Sequence, residues 1–537
     1  MRKFALVAVA AAVACAAATA AGVSRAEMLP TPSTVGGIDG GQQPVRSCSS
    51  LLLVTFADGS KVTSAVDRAA SDSTPQYCEV TVLIPDRINV IILLPDNNWN
   101  GRYQAVGNGV YAGTFQPPTE GLADGYVTSA TDTGHQDSPF SGAWAWSPAG
   151  MNYALIHDFA FRANHEMAVK SKALIEAYYG RAPTYSYWNG CSTGGREGIT
   201  EALRYPNDFD GILAKAPAIN WSRFIPAEQW PAVVMNELGH FLPSCKAQAV
   251  PALVQQACDM TDGVKDGLWD SRDCKFDAKS LIGGQTPCGA FTATDAVVIQ
   301  KIWTGPRRAN GGFLWYGLTP GSDFGSAPGL GLATTVSVDS TGVDAVPFLI
   351  SNDWFKYFLH KDATWDWHTL TFGQYEQDFD RSVTGWDYDL GTNNPDLTAF
   401  RNHGGKLIMW HGLQDQLIFP QGSINYFDRV VGRMGGLKAT ANFMRFYLSP
   451  NVTHCSGGAG PNPPDLFSLV VKWREAGEGP GTLMATLPPG SGVNTSSQPM
   501  TRPVCLYPDR VRYTGSGSIY DASNFKCAKG PMGTGNA

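Results

Sequence analysis

Residues 184–205 read TYSYWNGCSTGGREGITEALRY: a β-branched and aromatic run, a turn of glycines and small residues, then a stretch with helical apolar spacing. A strand that ends in a glycine turn and opens directly into a helix commits the chain to a parallel sheet covered by helices, because only a crossover connection returns the chain in the same direction. The flanks repeat the rhythm. DFAFRANHEMAVKSKALIEAYYG (158–180) has helical spacing and a glycine stop, and FDGILAKAP (209–217) supplies the next strand. Upstream, VTVLIP (80–85) and VIILLP (90–95) read as buried strands, and GRYQAVGNGVYAG (101–113) as a short strand running into a glycine-rich turn.

From 219 to 392 the rhythm fails. That stretch holds Cys245, Cys258, Cys274 and Cys288, many glycines and the aromatic-dense DWFKYFLHKDATWDWHTL (353–370). Sheet-like runs return with KLIMW (406–410) and NFMRFYL (442–448). The simplest organisation is an α/β core in two parts, 27–218 and 393–537, interrupted by an inserted lid domain at 219–392.

Residues 1–26 read as a secretory signal peptide: Arg2 and Lys3, an Ala/Val-rich stretch, then small-residue sites at Ala20 and Ala26. The apolar part is short for a membrane anchor, and no second long apolar run follows. A lipoprotein site at Cys15 has poorly fitting neighbours. The full chain has a net charge of −7, and removing the signal takes away Arg2, Lys3 and Arg25 as well. An acidic secreted protein without a basic run is a poor partner for nucleic acid or for an anionic membrane. Ten cysteines remain: Cys48, Cys78, Cys191, Cys245, Cys258, Cys274, Cys288, Cys455, Cys505 and Cys527. An even number in an exported chain favours five disulfides, and the absence of any C-x-x-C pair counts against zinc and redox chemistry.

The turn also carries chemistry. Gly190-Cys191-Ser192-Thr193-Gly194 has the G-x-S-x-G form, which is weak alone in a chain with 59 glycines. Its strand–turn–helix setting strengthens it. A serine needs a base and a third group to orient that base. Asp415, after KLIMWHGLQ, and His454, after NFMRFYLSPNVT, follow in the order Ser, Asp, His and both lie in loops after late strands. Backbone N–H groups of Thr193 and Gly109 are the candidate oxyanion donors, with Gly107 or Val110 as alternatives to Gly109. Cys191 directly precedes Ser192 and Cys455 directly follows His454, so if serine and histidine meet, their neighbours can be bridged.

Together C-S, D and H-C resemble the signature of the tannase and feruloyl esterase family, which also includes mono(hydroxyethyl) terephthalate hydrolases. Similar wording runs through WNGRYQAVGNG, TDTGH, RANHEMAVKSKALIEAYYG, WNGCSTGGREG, WHGLQDQLI and the tail. The resemblance implies an α/β-hydrolase core under a large lid, with Ser192, Asp415 and His454 as a triad and Cys191 bridged to Cys455. It also implies a substrate among esters of hydroxylated aromatic acids. Hydroxycinnamic (feruloyl) esters come first, including those on plant cell-wall polysaccharides, ahead of galloyl esters and terephthalate half-esters. No organic cofactor is implied.

CDMTDGVKDGLWD (258–270) brings Asp259, Asp262 and Asp266 into one loop, with Gly263 and Gly267 letting it curl. On residue types alone this is either a solvated acidic turn or, with the carbonyls of Val264 and Leu268, an oxygen shell for Ca²⁺. The family's lid calcium motif matches it, which implies a structural calcium. His135 and His165 read as structural histidines. Trp354, Phe355, Phe358, Trp365 and Trp367 could line an aromatic-acid pocket or form core. Asn220, Asn451 and Asn494 begin glycosylation sequons. A catalytically silent phenolic-binding protein and a peptidase are the competing functional classes.

Overall fold

The computed structural model describes residues 41–533 apart from 86, 116, 326–330 and 340–341. The signal peptide expected at 1–26 lies outside the described residues. The described residues fall within one compact unit.

A nine-stranded sheet organises it. Its strands are β1 (Lys61–Arg68), β2 (Tyr77–Ile84), β3 (Ile88–Pro95), β4 (Arg102–Val106), β5 (Val127–Thr131), β6 (Tyr185–Cys191), β7 (Gly211–Lys215), β8 (Lys406–Gly412) and β9 (Met444–Ser449). The spatial order is β1-β2-β3-β5-β4-β6-β7-β8-β9. Pairings are antiparallel from β1 through β5 and parallel from β5 to β9. Strand burial follows position: β2, near the antiparallel edge, alternates buried and half-buried residues, whereas β8, inside the parallel half, is buried almost throughout.

The longer helices are α1 (Ala163–Tyr179), α2 (Thr193–Arg204), α3 (Trp221–Leu238), α4 (Ser244–Cys258), α5 (Ala293–Thr304), α6 (Phe372–Leu390), α7 (Pro420–Arg433) and α8 (Leu466–Ala476). One face of the sheet packs on α1, α2 and α7 through Met167, Leu174, Ile199, Ile424, Phe427 and Val430. The other packs on α8, where Leu466, Val470 and Trp473 cover Tyr187, Leu213, Ile408 and Trp410. α1 ends where its sequence says it should, at Gly180 with φ 75°. One turn of π-helix, Asp158–Arg162, leads into it.

Among the described residues between β7 and β8, no strand joins the main sheet; α3 to α6 and the hairpin Thr334–Asp339/Gly342–Val346 lie in the interval. This segment has its own apolar core, continuous with Tyr111, Trp144 and Phe159 of the sheet-bearing part. α3 carries Pro226 and Pro231 inside it. A proline at 226 leaves the Ser222 carbonyl without its helical N–H donor, and the Ser382 hydroxyl of α6 donates to it at 2.6 Å. The Tyr375 hydroxyl of α6 adds a bond to Pro226 O at 2.9 Å, so the two helices are tied by side-chain bonds as well as by packing. Trp354, Phe355 and Phe358 belong to this core: Trp354 stacks on Phe358 with centroids 4.3 Å apart and donates its ring N–H to Ser382. The structure thus decides these three residues as core.

All ten remaining cysteines pair: Cys48–Cys78, Cys191–Cys455, Cys245–Cys288, Cys258–Cys274 and Cys505–Cys527. The sequon asparagines Asn220, Asn451 and Asn494 are all buried, which leaves no room for a glycan on the folded chain. Asn451 instead accepts the Trp269 N–H through its side-chain oxygen. Among the described residues, no helix is long and apolar enough to cross a membrane.

Candidate active site

Ser192 stands alone between the end of β6 and the start of α2, with φ 64° and ψ −125°. This is a conformation that costs a non-glycine residue of order 1–3 kcal/mol, so the surroundings must impose it. The Ser192 N–H donates to Lys215 O at 3.0 Å and its carbonyl accepts the Ala218 N–H at 3.0 Å, fixing both sides of the peptide against the end of β7. The glycines around it are obligatory for space. A Cβ on Gly190 would sit 2.3 Å from Gly194 O, and one on Gly195 would sit 2.5 Å from Lys215 O. The helix therefore starts closer to the sheet than any side chain allows.

The same closeness brings in the 107–110 turn. A Cβ on Gly107 would lie 2.5 Å from Gly194 Cα. Asn108 O accepts the Gly194 N–H at 2.7 Å, and the Thr193 hydroxyl donates to Val110 O at 2.7 Å. Glu197, one turn into α2 and fully buried, accepts the Asn108 main-chain N–H at 2.8 Å and its side-chain amide at 3.2 Å. Burial pushes the Glu197 carboxyl up, opposed by the neighbouring Arg196 and the Asn108 bonds. Among the described residues, the N–H groups of Gly109, Val110 and Thr193 donate to no protein acceptor. Gly109 itself meets no steric demand for glycine.

Asp415 lies in the loop after β8 and is completely buried. Its Oδ1 accepts the N–H groups of Leu417 and Ile418, both at 2.9 Å. Its Oδ2 accepts from His454 Nδ1 at 2.8 Å and from His411 Nε2 at 3.0 Å. Burial opposes the anion, but the adjacent His454 and His411 rings hold the Asp415 carboxyl well below the usual carboxylate range. His454 is oriented from a second side, its main-chain N–H donating to Gln416 Oε1 at 3.1 Å. Next to it, Cys455 has φ 63° and is bridged to Cys191, with Cα atoms 5.9 Å apart. The residues flanking Ser192 and His454 are thereby covalently joined across a sequence separation of 264.

The tie can be tested by Cys191→Ser/Cys455→Ser. On the chain-entropy account, closing so long a loop contributes about 5 kcal/mol. The double variant should unfold at clearly lower denaturant concentration and should also lose turnover, because His454 is no longer fixed to the β6 end. Wild-type unfolding midpoint and activity in that variant would remove the bridge from any functional role.

Other residues singled out in the sequence fall elsewhere. His135 is buried, its Nε2 3.0 Å from Tyr111 O and its ring stacked on Trp144. His165 bonds through Nδ1 to Asp208 at 2.6 Å and stacks on Tyr205. Asp259, Asp262 and Asp266 are buried in one turn: Asp259 accepts the N–H groups of Asp266 and Gly267, and Asp266 pairs with Arg502. Reading the sequence missed His411, Gln416, Glu197 and the buried carboxyl of Glu228. For His411 a signal existed: it stands four residues before Asp415 in WHGLQD, at the end of the strand that delivers that aspartate.

A mostly parallel sheet with antiparallel strands at one edge, a strained serine between strand and helix, and an Asp–His pair on the loops after β8 and β9 define an α/β-hydrolase. A family model described as tannase and feruloyl esterase matches residues 78–528. A probable feruloyl esterase of Arthroderma benhamiae is 40% identical over 476 residues, covering 85% of this chain and 87% of the relative. The crystal structure of feruloyl esterase B from Aspergillus oryzae superposes with a TM-score of 0.76 at 26% identity, covering 90% of this chain and 99% of that one. Tannin acyl hydrolase from Aspergillus niger superposes with a TM-score of 0.75 at 24% identity, covering 88% and 90%, and bears on the fold alone. The chain belongs to the tannase and feruloyl esterase family.

Proposed function

We propose that the protein is a secreted serine esterase that hydrolyses esters of hydroxycinnamic acids through an acyl-enzyme. The observation that carries this reading is the Asp415–His454 hydrogen bond, joined through the Cys191–Cys455 bridge to the turn that presents Ser192. His454 Nδ1–H is committed to Asp415, which leaves Nε2 as the basic nitrogen. In the proposed reaction Nε2 takes the Ser192 proton as Oγ attacks the ester carbonyl. The N–H groups of Thr193 and Gly109 receive the developing oxyanion, and His454 returns the proton to the leaving alcohol. Water then repeats the sequence on the acyl-enzyme and releases the acid. Asp415 holds the ring and stabilises its charged form.

The choice of acid rests on relatives: curated relatives at 40% and 29% identity are named probable feruloyl esterases, and the tannin acyl hydrolase supports only the fold. Initial rates on methyl ferulate and methyl gallate, with Ser192→Ala as the blank, should show a clear preference for ferulate. A preference for gallate would move the protein to galloyl esters, and no labelling by a serine-directed fluorophosphonate would favour a silent binder. Export is supported by five disulfides and by the signal-like N-terminus.

A structural calcium in the 259–268 loop is part of the same reading. The residue types suit a hard cation: Asp259, Asp262 and Asp266 are buried in one loop, Asp266 pairs with Arg502, and burial together with the Asp266 charge pushes the Asp262 carboxyl up to about 7. Asp259, Asp262 and Asp266, with the carbonyls of Val264 and Leu268, would hold the ion, which would cross-link the loop. Adding Ca²⁺ to chelator-treated protein should raise Tm by several degrees, and Asp259→Asn/Asp262→Asn should abolish the rise. An unchanged Tm in the wild type would leave the loop an acidic turn.

A further inference from the structure

The Asp415 carboxylate carries two imidazoles on one oxygen, and only one of them belongs to the proposed reaction. His411, at the end of β8, is fully buried. Its Nε2 lies 3.0 Å from Asp415 Oδ2 and 3.1 Å from Ile418 O. Neither a carboxylate nor a carbonyl can donate, so Nε2 must bear a proton shared between them. Its Nδ1 lies 2.8 Å from the Ser423 hydroxyl of α7. The proton on Nε2 is therefore dictated by the neighbours, and Nδ1 shares a hydrogen bond with the Ser423 hydroxyl.

With His411 in place, Asp415 accepts four N–H groups, two on each oxygen. An ionised carboxylate offers about four lone-pair sites. None is left for the carboxylate to rotate towards, so the direction in which Oδ2 meets His454 is fixed. We infer that His411 is a positioning residue of the triad: it occupies the second lone pair of Asp415 Oδ2, aims the first at His454 Nδ1, and is itself held by Ser423. This rests on the Ser192–His454–Asp415 reading above. It adds a fourth residue, and through Ser423 it links the triad to α7.

The inference also sets how strongly Asp415 holds a charged His454. A donor on Oδ2 draws charge from that oxygen and moderates its pull on the imidazolium. Removing the donor should strengthen that pull, so the acidic limb of the kcat/KM profile should move to higher pH. The titratable groups facing the pair are Asp415 on the same loop, His454 from the turn after β9, and Glu228 from α3. The buried Glu228 carboxyl is pushed up by burial and by the Asp415 charge. α7 contributes the Ser423 hydroxyl.

The experiment compares His411→Gln, which keeps a donor near the place of Nε2, with His411→Met, which fills the space without one. His411→Met should lower kcat about 10- to 100-fold with KM within about twofold, and should move the acidic limb by half a pH unit or more to higher pH. His411→Gln should recover most of both losses. Ser423→Ala, which removes the anchor without touching Asp415, should give a smaller change in the same direction and covers the case in which His411→Met does not fold. The ring N–H resonance of His454, read in ¹⁵N-histidine-labelled Ser192→Ala protein, needs no turnover. It should lie far downfield, stay there with His411→Gln added and leave that position with His411→Met or Ser423→Ala. A folded His411→Met protein with wild-type kcat, limb and resonance overturns the inference. So do equal losses in the Gln and Met variants with an unmoved limb, which would mark a purely structural side chain. If Ser192→Ala retains activity the triad reading fails instead, and the resonance still reports whether His411 holds Asp415.

Discussion

Ser192→Ala should lower kcat/KM on methyl ferulate by roughly four to six orders of magnitude, with Tm changed by no more than a degree or two. The size follows from what is removed: without Oγ there is no acyl-enzyme, and only binding and the oxyanion donors remain. The small stability cost follows from the site itself. Among the described residues, the Ser192 hydroxyl makes no hydrogen bond to the protein, so alanine orphans no partner. The backbone strain at φ 64° is the same for alanine, which has the same Cβ. Chromatographically pure Ser192→Ala that keeps even a hundredth of wild-type turnover would show that the reaction runs elsewhere. Ser192→Gly would lose activity equally while relieving the backbone, and should be no less stable than the wild type.

Asp415→Asn should cost roughly 10³- to 10⁴-fold in kcat and, unlike the serine variant, should also destabilise the fold by about 2–4 kcal/mol. The reason is the count of donors. Every oxygen of Asp415 already accepts two N–H groups. An asparagine must place its NH₂ either against Leu417 and Ile418 or against His454 and His411, and in both orientations donors face donors. Turned towards the histidines, it drives His454 to carry its proton on Nε2, where it cannot accept from Ser192. Turned the other way, it breaks the loop that positions the side chain. Kinetics and denaturant unfolding on the same preparation separate the two losses. An asparagine variant with more than a tenth of the wild-type kcat would remove Asp415 from the proposed mechanism.

The two predictions differ because one residue is presented to its surroundings and the other is built into them. The same contrast explains why some of the site is readable in the chain. Ser192 announces itself through contiguous residues: the aromatic strand, the three glycines that let α2 approach the sheet, and the helix that follows. Asp415 and His454 carry weaker local signals, a position after a late strand each, and gain weight from the cysteines beside the serine and the histidine. His411 has nearly the same address as Asp415, yet nothing in WHGLQD tells which polar side chain turns inward or that two imidazoles meet one carboxylate. That contact depends on β8, β9 and α7 being assembled. Glu197 is likewise ordinary in REGITEALR until the 107–110 turn, some ninety residues earlier, is laid across it.

By itself, then, the sequence determined what short-range physics controls: the alternation of strands and helices, the glycine stop of α1, the tight turn at Ser192, the parity of the cysteines and the interruption after β7. These depend on backbone freedom, side-chain periodicity and hydrogen bonds between residues close along the chain. Only the tertiary structure decided the exchange of β4 and β5 in the sheet order, the partners of most cysteines, and the burial of Trp354, Phe355 and Phe358 as core. It also decided the burial of the three sequon asparagines and the fourfold saturation of Asp415. Each of these is a contact between segments far apart in sequence, or the environment such contacts create, and exists only once the sheet and its insertion have closed on one another.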